Sequence, residues 1–520
     1  MVSLSPARWL PATLPVLQAL LAAGPALAQD PGGAGLRLTP TLALEQTFAE
    51  YRARPSRENG LESVTRVSPG FRISGRSGAT SGALNYTANL LSRRGLDESS
   101  GREVQNSLDG SIVGEFVRGR ALIEGRASIT SQALSVAGQP LGTGIQRNPN
   151  RAEVFTASVS PVLRGPIVPG VDYEVRLTAT RTDSRTTNDS FGAAVAAAAD
   201  RADSRSAEGV VSLSSTPGVG TLGWGLRASR QEVRFREVAR PAETERVVAS
   251  LSYAPDVDWR FSVNAGRERT DVGLLEARER ETAGAGVQWT PSPRTSVVLQ
   301  GEDRYFGRAY RGTLQYRTPR TIWSYAAVRD VTNGSDAFGL GQPQSLYQLL
   351  FGQFASIESD PVRREQLVLD FLARLGRDPN ERIAGGELSG ATQLQQRHDA
   401  SVAWQGRRLS LTLQAFRVSS RQIDDGGPVA AAAEAAQRGY SSAASYRLSP
   451  TLTVTFGGGR TISSSVQARE GTDLKTAYLA LSATLGAQVV GALQSRYTVF
   501  NSVTDPYRET ILAGSISLRF

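Results

Sequence analysis

Period-two polarity runs through almost the whole chain in segments of about ten residues, the length of a tilted membrane strand. The last segment is TILAGSISLRF, and it ends on Phe520. Leu512, Gly514, Ile516, Leu518 and Phe520 share one parity, and Ala513, Ser515, Ser517 and Arg519 share the other. Successive strand side chains point to opposite faces, so one face is apolar and one polar. A terminal aromatic on the apolar face resembles the insertion signal of outer-membrane β-barrels. Upstream, Leu36, Leu38, Leu42 and Leu44 oppose Arg37, Thr39, Thr41 and Glu45. Tyr173, Val175 and Leu177 oppose Glu174, Arg176 and Thr178, and Trp259, Phe261 and Val263 oppose Arg260, Ser262 and Asn264.

About 22 such segments can be counted, in a range of about 20–24, and single-chain bacterial barrels use even numbers. Short joints such as VRGR, YAPDVD, TPSPRT, YRTPRT, WQGRR, RLSPT and LGAQ alternate with long polar segments. The long ones include residues 131–151, 183–204, 231–244, 333–390, 418–437 and 460–473. Barrels of this kind have short periplasmic turns and long outer loops, so each short joint is expected on the periplasmic side. The fold expected is all-β: one antiparallel transmembrane barrel occupying residues 29–520.

Tryptophan supplies an independent check. Trp224, Trp259, Trp289, Trp323 and Trp404 each stand beside a short joint, on the apolar parity. With Phe520 they are expected to form the periplasmic aromatic girdle, where amphipathic rings gather at the membrane boundary. A soluble β-sandwich also has period-two strands, but gives its tryptophans no reason to choose one end. A β-helix needs a fixed short repeat, and none is present.

Residues 1–28 read as a secretory signal peptide. Arg8 precedes an apolar run from Trp9 to Ala23, and Ala26-Leu27-Ala28 forms an A-x-A cleavage site. The expected location is therefore the outer membrane of a Gram-negative bacterium, with outer-membrane lipid and the barrel assembly machinery as partners. The chain has no cysteine and one histidine, which excludes thiolate chemistry and multi-histidine metal sites. No cofactor, catalytic constellation or nucleic-acid interface is expected. The formal charge of +9 comes almost wholly from arginine, since Lys475 is the only lysine, and no basic-aromatic cluster accompanies it. His398 shares the parity of Val402 and Trp404, hence the lipid side.

The polar parity is the expected lumen wall. Its candidate lining includes Arg72, Arg126, Arg176, Arg227, Arg260, Arg311, Arg317 and Arg397, with Glu124 and Glu174. Glu302, Asp303 and Asp330 lie near one rim and read as ordinary solvated acids. A first strand starting near Leu36 leaves no room for an N-terminal plug, which argues against a TonB-dependent receptor. Residues 333–390 are the candidate lid. Asp360 and Pro361 suit the N-cap and first position of a helix, and Gly376 suits its C-cap. Leu367, Phe371 and Leu375 fall on one face, as a loop plug requires. They could equally pack on the rim.

Several stretches resemble a known family. They are residues 68–95 (SPGFRISGRSGATSGALNYTANLLSRRG), 301–332 (GEDRYFGRAYRGTLQYRTPRTIWSYAAVRDVT), the insert around DPVRREQLVLDFL, and 397–417 (RHDASVAWQGRRLSLTLQAFR). Together they resemble the PEP-CTERM system-associated outer-membrane β-barrel proteins, which occur near exosortase and exopolysaccharide genes. The resemblance implies traffic or assembly of envelope polysaccharide, and an anionic exopolysaccharide or a periplasmic export partner. It brings no residue roles. A loop-closed docking barrel and a diffusion porin are the alternatives.

Overall fold

The computed structural model describes residues 35–52, 60–95, 101–141, 148, 150–186, 202–216, 218, 220–236, 240–271, 278–332, 364, 368, 391–423, 434–465, 470–486, 488–503 and 506–520. They form 22 strands. The first seven are β1 (Leu36–Arg52), β2 (Gly60–Ser77), β3 (Thr80–Arg94), β4 (Gly101–Val117), β5 (Ala121–Ala133), β6 (Arg151–Val168) and β7 (Val171–Thr186). The next eight are β8 (Ser204–Ser214), β9 (Leu222–Phe235), β10 (Ala242–Tyr253), β11 (Trp259–Asp271), β12 (Arg278–Ser292), β13 (Thr295–Arg304), β14 (Gly307–Arg317) and β15 (Thr321–Thr332). The last seven are β16 (Gln393–Gln405), β17 (Leu409–Gln422), β18 (Glu434–Arg447), β19 (Leu452–Ser465), β20 (Glu470–Thr484), β21 (Val489–Asn501) and β22 (Tyr507–Arg519).

Each strand pairs antiparallel with the next, and β22 pairs with β1 from Arg519↔Thr41 to Arg508↔Arg52. The sheet is therefore closed and has no edge. Closure matters in lipid, where an unpaired backbone group has no water to turn to.

The two faces are told apart by reach. Arg246 on β10 bonds Glu302 on β13, across two intervening strands. On a flat sheet three strand spacings are about 14 Å, too far for such a contact. The face carrying both side chains must be concave, hence inward. The opposite parity carries the exposed apolar side chains: Leu44, Phe48, Ile112, Leu177, Phe261, Leu314, Phe456, Leu493 and Ile516 are all exposed. Among the described residues no helix is long and apolar enough to cross a membrane.

Strand lengths reach 18 residues, in β2 and β6, where about 9–11 suffice to cross. The excess projects beyond the apolar band. There both faces are wet, so the sequence loses its apolar parity while the ladder continues. For that reason 231–244 and 460–473 are not long loops. The strands run through them to Phe235 and from Ala242, and to Ser465 and from Glu470. A second correction concerns the short joints. Residues 305–306 alone connect β13 to β14, on the outer side, where Gly307 takes a left-handed φ of 95°.

Residues 1–28 lie outside the described residues, as do Leu367, Phe371 and Leu375. Within 333–390 only Arg364 and Val368 are described. Both are helical, and Val368 is fully buried.

Candidate functional site

The inner wall is the candidate site, and its charges fall into two populations. The first is paired. Arg176 Nη1 on β7 donates to Glu124 Oε2 on β5 at 2.9 Å, and its Nε donates to Glu174 at 3.3 Å. Arg397 is buried and donates to both oxygens of Asp399 at 2.6 and 2.9 Å. Higher on the wall, Arg304 of β13 donates to Glu268 of β11, through Nε at 3.1 Å and also through Nη2, and to Asp330 of β15. Its guanidinium also lies 5.0 Å from the Phe306 ring centroid. Arg246 bonds Glu302, which accepts in addition from Asn264 Nδ2 at 3.0 Å. Glu268 has no solvent exposure at all.

The second population is bare. Arg227 on β9, Arg260 on β11 and Arg311 on β14 are inward by parity and exposed. Among the described residues none of the three has an ion-pair partner. Arg260 is the neighbour of Trp259, so it stands at the end of the barrel where the tryptophans gather. Arg72, Arg126 and Arg317 share the inward parity but are not part of this bare set. The bare arginines thus stand low on β9 and β11 and mid-wall on β14, whereas the upper wall between β10 and β15 is dry and its charges are paired.

Sequence reading missed the upper network. Glu302 and Asp330 looked like solvated rim acids, and Glu268 and Arg304 drew no notice. The available signal was a match of opposite charges on one parity at similar distances from the strand ends. It becomes visible only once the register links strands that are not neighbours.

One inward region is dry and mostly apolar, with the fully buried Glu509 directly opposite Tyr51. Tyr51, Val64, Leu91, Phe500, Tyr507 and Ile511 form a buried apolar cluster on β1–β3, β21 and β22. Tyr51 meets Tyr507 edge-on, with centroids 6.2 Å apart, and Phe500 lies 5.2 Å from Tyr507. These rings pack on one another and give the inner wall a dry apolar patch at this height.

The outward aromatics sit at one end. Trp259 stands opposite Trp289 in the register and stacks on it at 5.5 Å, and Phe261 stacks on Trp259 at 5.6 Å. Trp323 is paired across the ladder near Tyr316, and Trp224 and Trp404 occupy the same ends of β9 and β16. Phe520 is exposed, and its N–H donates to the Pro40 carbonyl at 3.0 Å. His398 lies outward between two phenols, 2.9 Å from Tyr325 Oη and 3.2 Å from Tyr310 Oη. Among the described residues no group of three or more histidines and carboxylates could hold a metal ion.

These features define a 22-stranded β-barrel of the outer-membrane type. No protein-family model matches the chain, and no curated protein does. Solved barrels do resemble it. The FrpB iron transporter from Neisseria meningitidis (F5-1 variant) matches with a TM-score of 0.47 and 11% identity, over 93% of this chain and 82% of that one. The siderophore receptor PirA from Acinetobacter baumannii matches at 0.46 and 9%, over 95% and 81%. OccK2 (OpdF) from Pseudomonas aeruginosa matches at 0.33 and 10%, over 94% and 100%.

Proposed function

We propose that this protein is an outer-membrane channel, or the channel part of a larger exporter, that helps an anionic exopolysaccharide reach the cell surface. The observation that carries this reading is the set of bare, exposed arginines on the lower inner wall: Arg227, Arg260 and Arg311. Fixed cations in a lumen lower the electrostatic barrier for an anionic solute. The resemblance of residues 68–95, 301–332 and 397–417 to exosortase-associated barrels supplies the polysaccharide. In this reading the signal peptide is cleaved, the barrel assembly machinery inserts the barrel, and a periplasmic export partner meets the mouth near Arg260.

Single-channel recording in a planar bilayer tests it. The expected result is a pore preferring anions, with the preference lost in the Arg227→Ala/Arg260→Ala/Arg311→Ala variant. A pore passing both ions equally in the unaltered protein would turn the reading toward a diffusion porin. A second reading has its own support in the buried inward cluster around Tyr51 and Tyr507. It is a barrel closed from within that docks other envelope components. Silence in the bilayer, with conductance appearing only after deletion of residues 333–390, is what that reading expects.

A further inference from the structure

The outer surface carries a basic patch that the lumen reading does not use. Near the extracellular end, on the outward parity, Arg417 of β17 stands directly opposite Arg438 of β18. Arg460 of β19 stands directly opposite Lys475 of β20. His398 flanks the row opposite Arg417, and Tyr440, 61% exposed, lies opposite Arg460. Like charges placed directly across a ladder are destabilising. Asp473 answers one of the two pairs. It accepts from Arg460 Nε and Nη2 at 2.8 and 2.9 Å, and Lys475 Nζ lies 3.5 Å away. Arg417 and Arg438 are exposed, and among the described residues neither has an ion-pair partner.

The same height on the other side of the barrel is arranged differently. There the directly opposed row reads Arg230 on β9, Glu245 on β10, Arg269 on β11 and Glu279 on β12. Arg230 pairs with Glu243 and Glu245, and Arg267 with Glu279. That arc neutralises itself, so repulsion is not a general habit of this rim.

Position along the strand indicates what answers Arg417 and Arg438. Arg417 lies about eight residues beyond Leu409, which at about 3.3 Å per residue and a tilt of about 40° is about 20 Å above the periplasmic boundary. The apolar band of such barrels is about 25 Å tall, so the Arg417 backbone lies about 5 Å below its outer edge, and the long side chain snorkels the guanidinium to the headgroup level. Beneath them Leu413, Phe456, Leu479 and Leu481 form an exposed apolar wall.

We infer that this patch, centred on Arg417 and Arg438, binds the phosphate groups of an anionic lipid in the outer leaflet, with the lipid's acyl chains on the apolar wall below. Guanidinium forks match phosphate oxygens in bidentate fashion, and the acyl chains give a lipid an advantage over free phosphate. The inference rests on the chain spanning a membrane and is independent of channel activity.

The test uses the full-length barrel purified in nonionic detergent, with lipopolysaccharide as probe and bound lipid read by native mass spectrometry. Phosphatidylcholine, dephosphorylated lipopolysaccharide and inorganic phosphate are the comparison ligands. Lipopolysaccharide should bind in preference to all three, and R417Q/R438Q should weaken it about tenfold or more. R230Q/R267Q, on the neutralised arc, should change it less than about twofold. Binding unaffected by R417Q/R438Q, an equal loss in R230Q/R267Q, or equal binding of phosphatidylcholine overturns the inference. Complete displacement by equimolar inorganic phosphate overturns it too, as does a self-associated barrel whose contact surface is this arc. Should R417Q/R438Q fail to fold, the unaltered protein still decides: binding must weaken as salt rises from about 0.05 to about 1 M, and salt-insensitive binding refutes it. Insertion into liposomes is scored separately, so a barrel that inserts yet shows no lipid preference sinks this inference alone.

Discussion

Within the arc from β9 to β15, the upper and lower parts of the inner wall handle charge in opposite ways. Between β10 and β15 the upper wall ties Arg246 to Glu302, and Arg304 to Glu268 and Asp330, with Glu268 fully buried. The lower wall leaves Arg227, Arg260 and Arg311 exposed and bare. A buried ion must keep its partner, because removing one member strands the other away from water. A guanidinium in a wet lumen is solvated by water and has no such need. The comparison teaches that in this arc the dry charges need their partners, while Arg227, Arg260 and Arg311 can stand without one.

The largest effect should come from breaking the upper wall at its driest point. Glu268→Ala removes a fully buried partner of Arg304 and should cost about 3–5 kcal/mol, read from denaturant unfolding of the bilayer-inserted barrel. A cost under about 1 kcal/mol would mean that Asp330 alone suffices for Arg304. Next in size is the coupling between Arg246 and Glu302, both largely buried. A double-mutant cycle should return about 1–3 kcal/mol, and zero coupling would dissolve the contrast between the two walls.

The lower wall should respond in function rather than stability. Arg227→Ala, Arg260→Ala and Arg311→Ala should each move unfolding by less than about 0.5 kcal/mol, while anion preference in a bilayer falls stepwise with each removal. If any one of them destabilises as much as Glu268→Ala does, its bareness is not real. The smallest effect on stability should come from salt. Raising ionic strength from about 0.1 to about 1 M shortens the screening length from about 10 to about 3 Å. Anion preference should fade over that range while the unfolding midpoint stays nearly fixed, because the dry pairs are screened little.

Much of the fold was legible because a barrel strand declares its two faces residue by residue. The parity of Tyr173, Val175 and Leu177 against Glu174 and Arg176 needs no partner strand to be read, and the count of such segments, about 22, agrees with the 22 strands. The boundaries of 231–244 and 460–473 were not legible, since projecting strand ends are polar on both faces and look like loops. The outer joint at Tyr305 and Phe306 escaped for a related reason. Two residues between strands look the same on either side of a membrane, and only position in the alternation assigns the side.

The sequence by itself determined which face the strand side chains join, the number of strands to within about two, and the end at which the tryptophans gather, because all three follow from a period of two and the chemistry of an interface. Only the tertiary structure decided which charges meet. Glu268 and Arg304 lie 36 positions apart and on strands that do not touch in the ladder. Arg417 and Arg438 are neighbours only through the register of β17 on β18. Parity names a face, but a partner is set by register and by curvature. Closing 22 strands into a ring is what brings inward charges together and sets the outward arginines on the convex face.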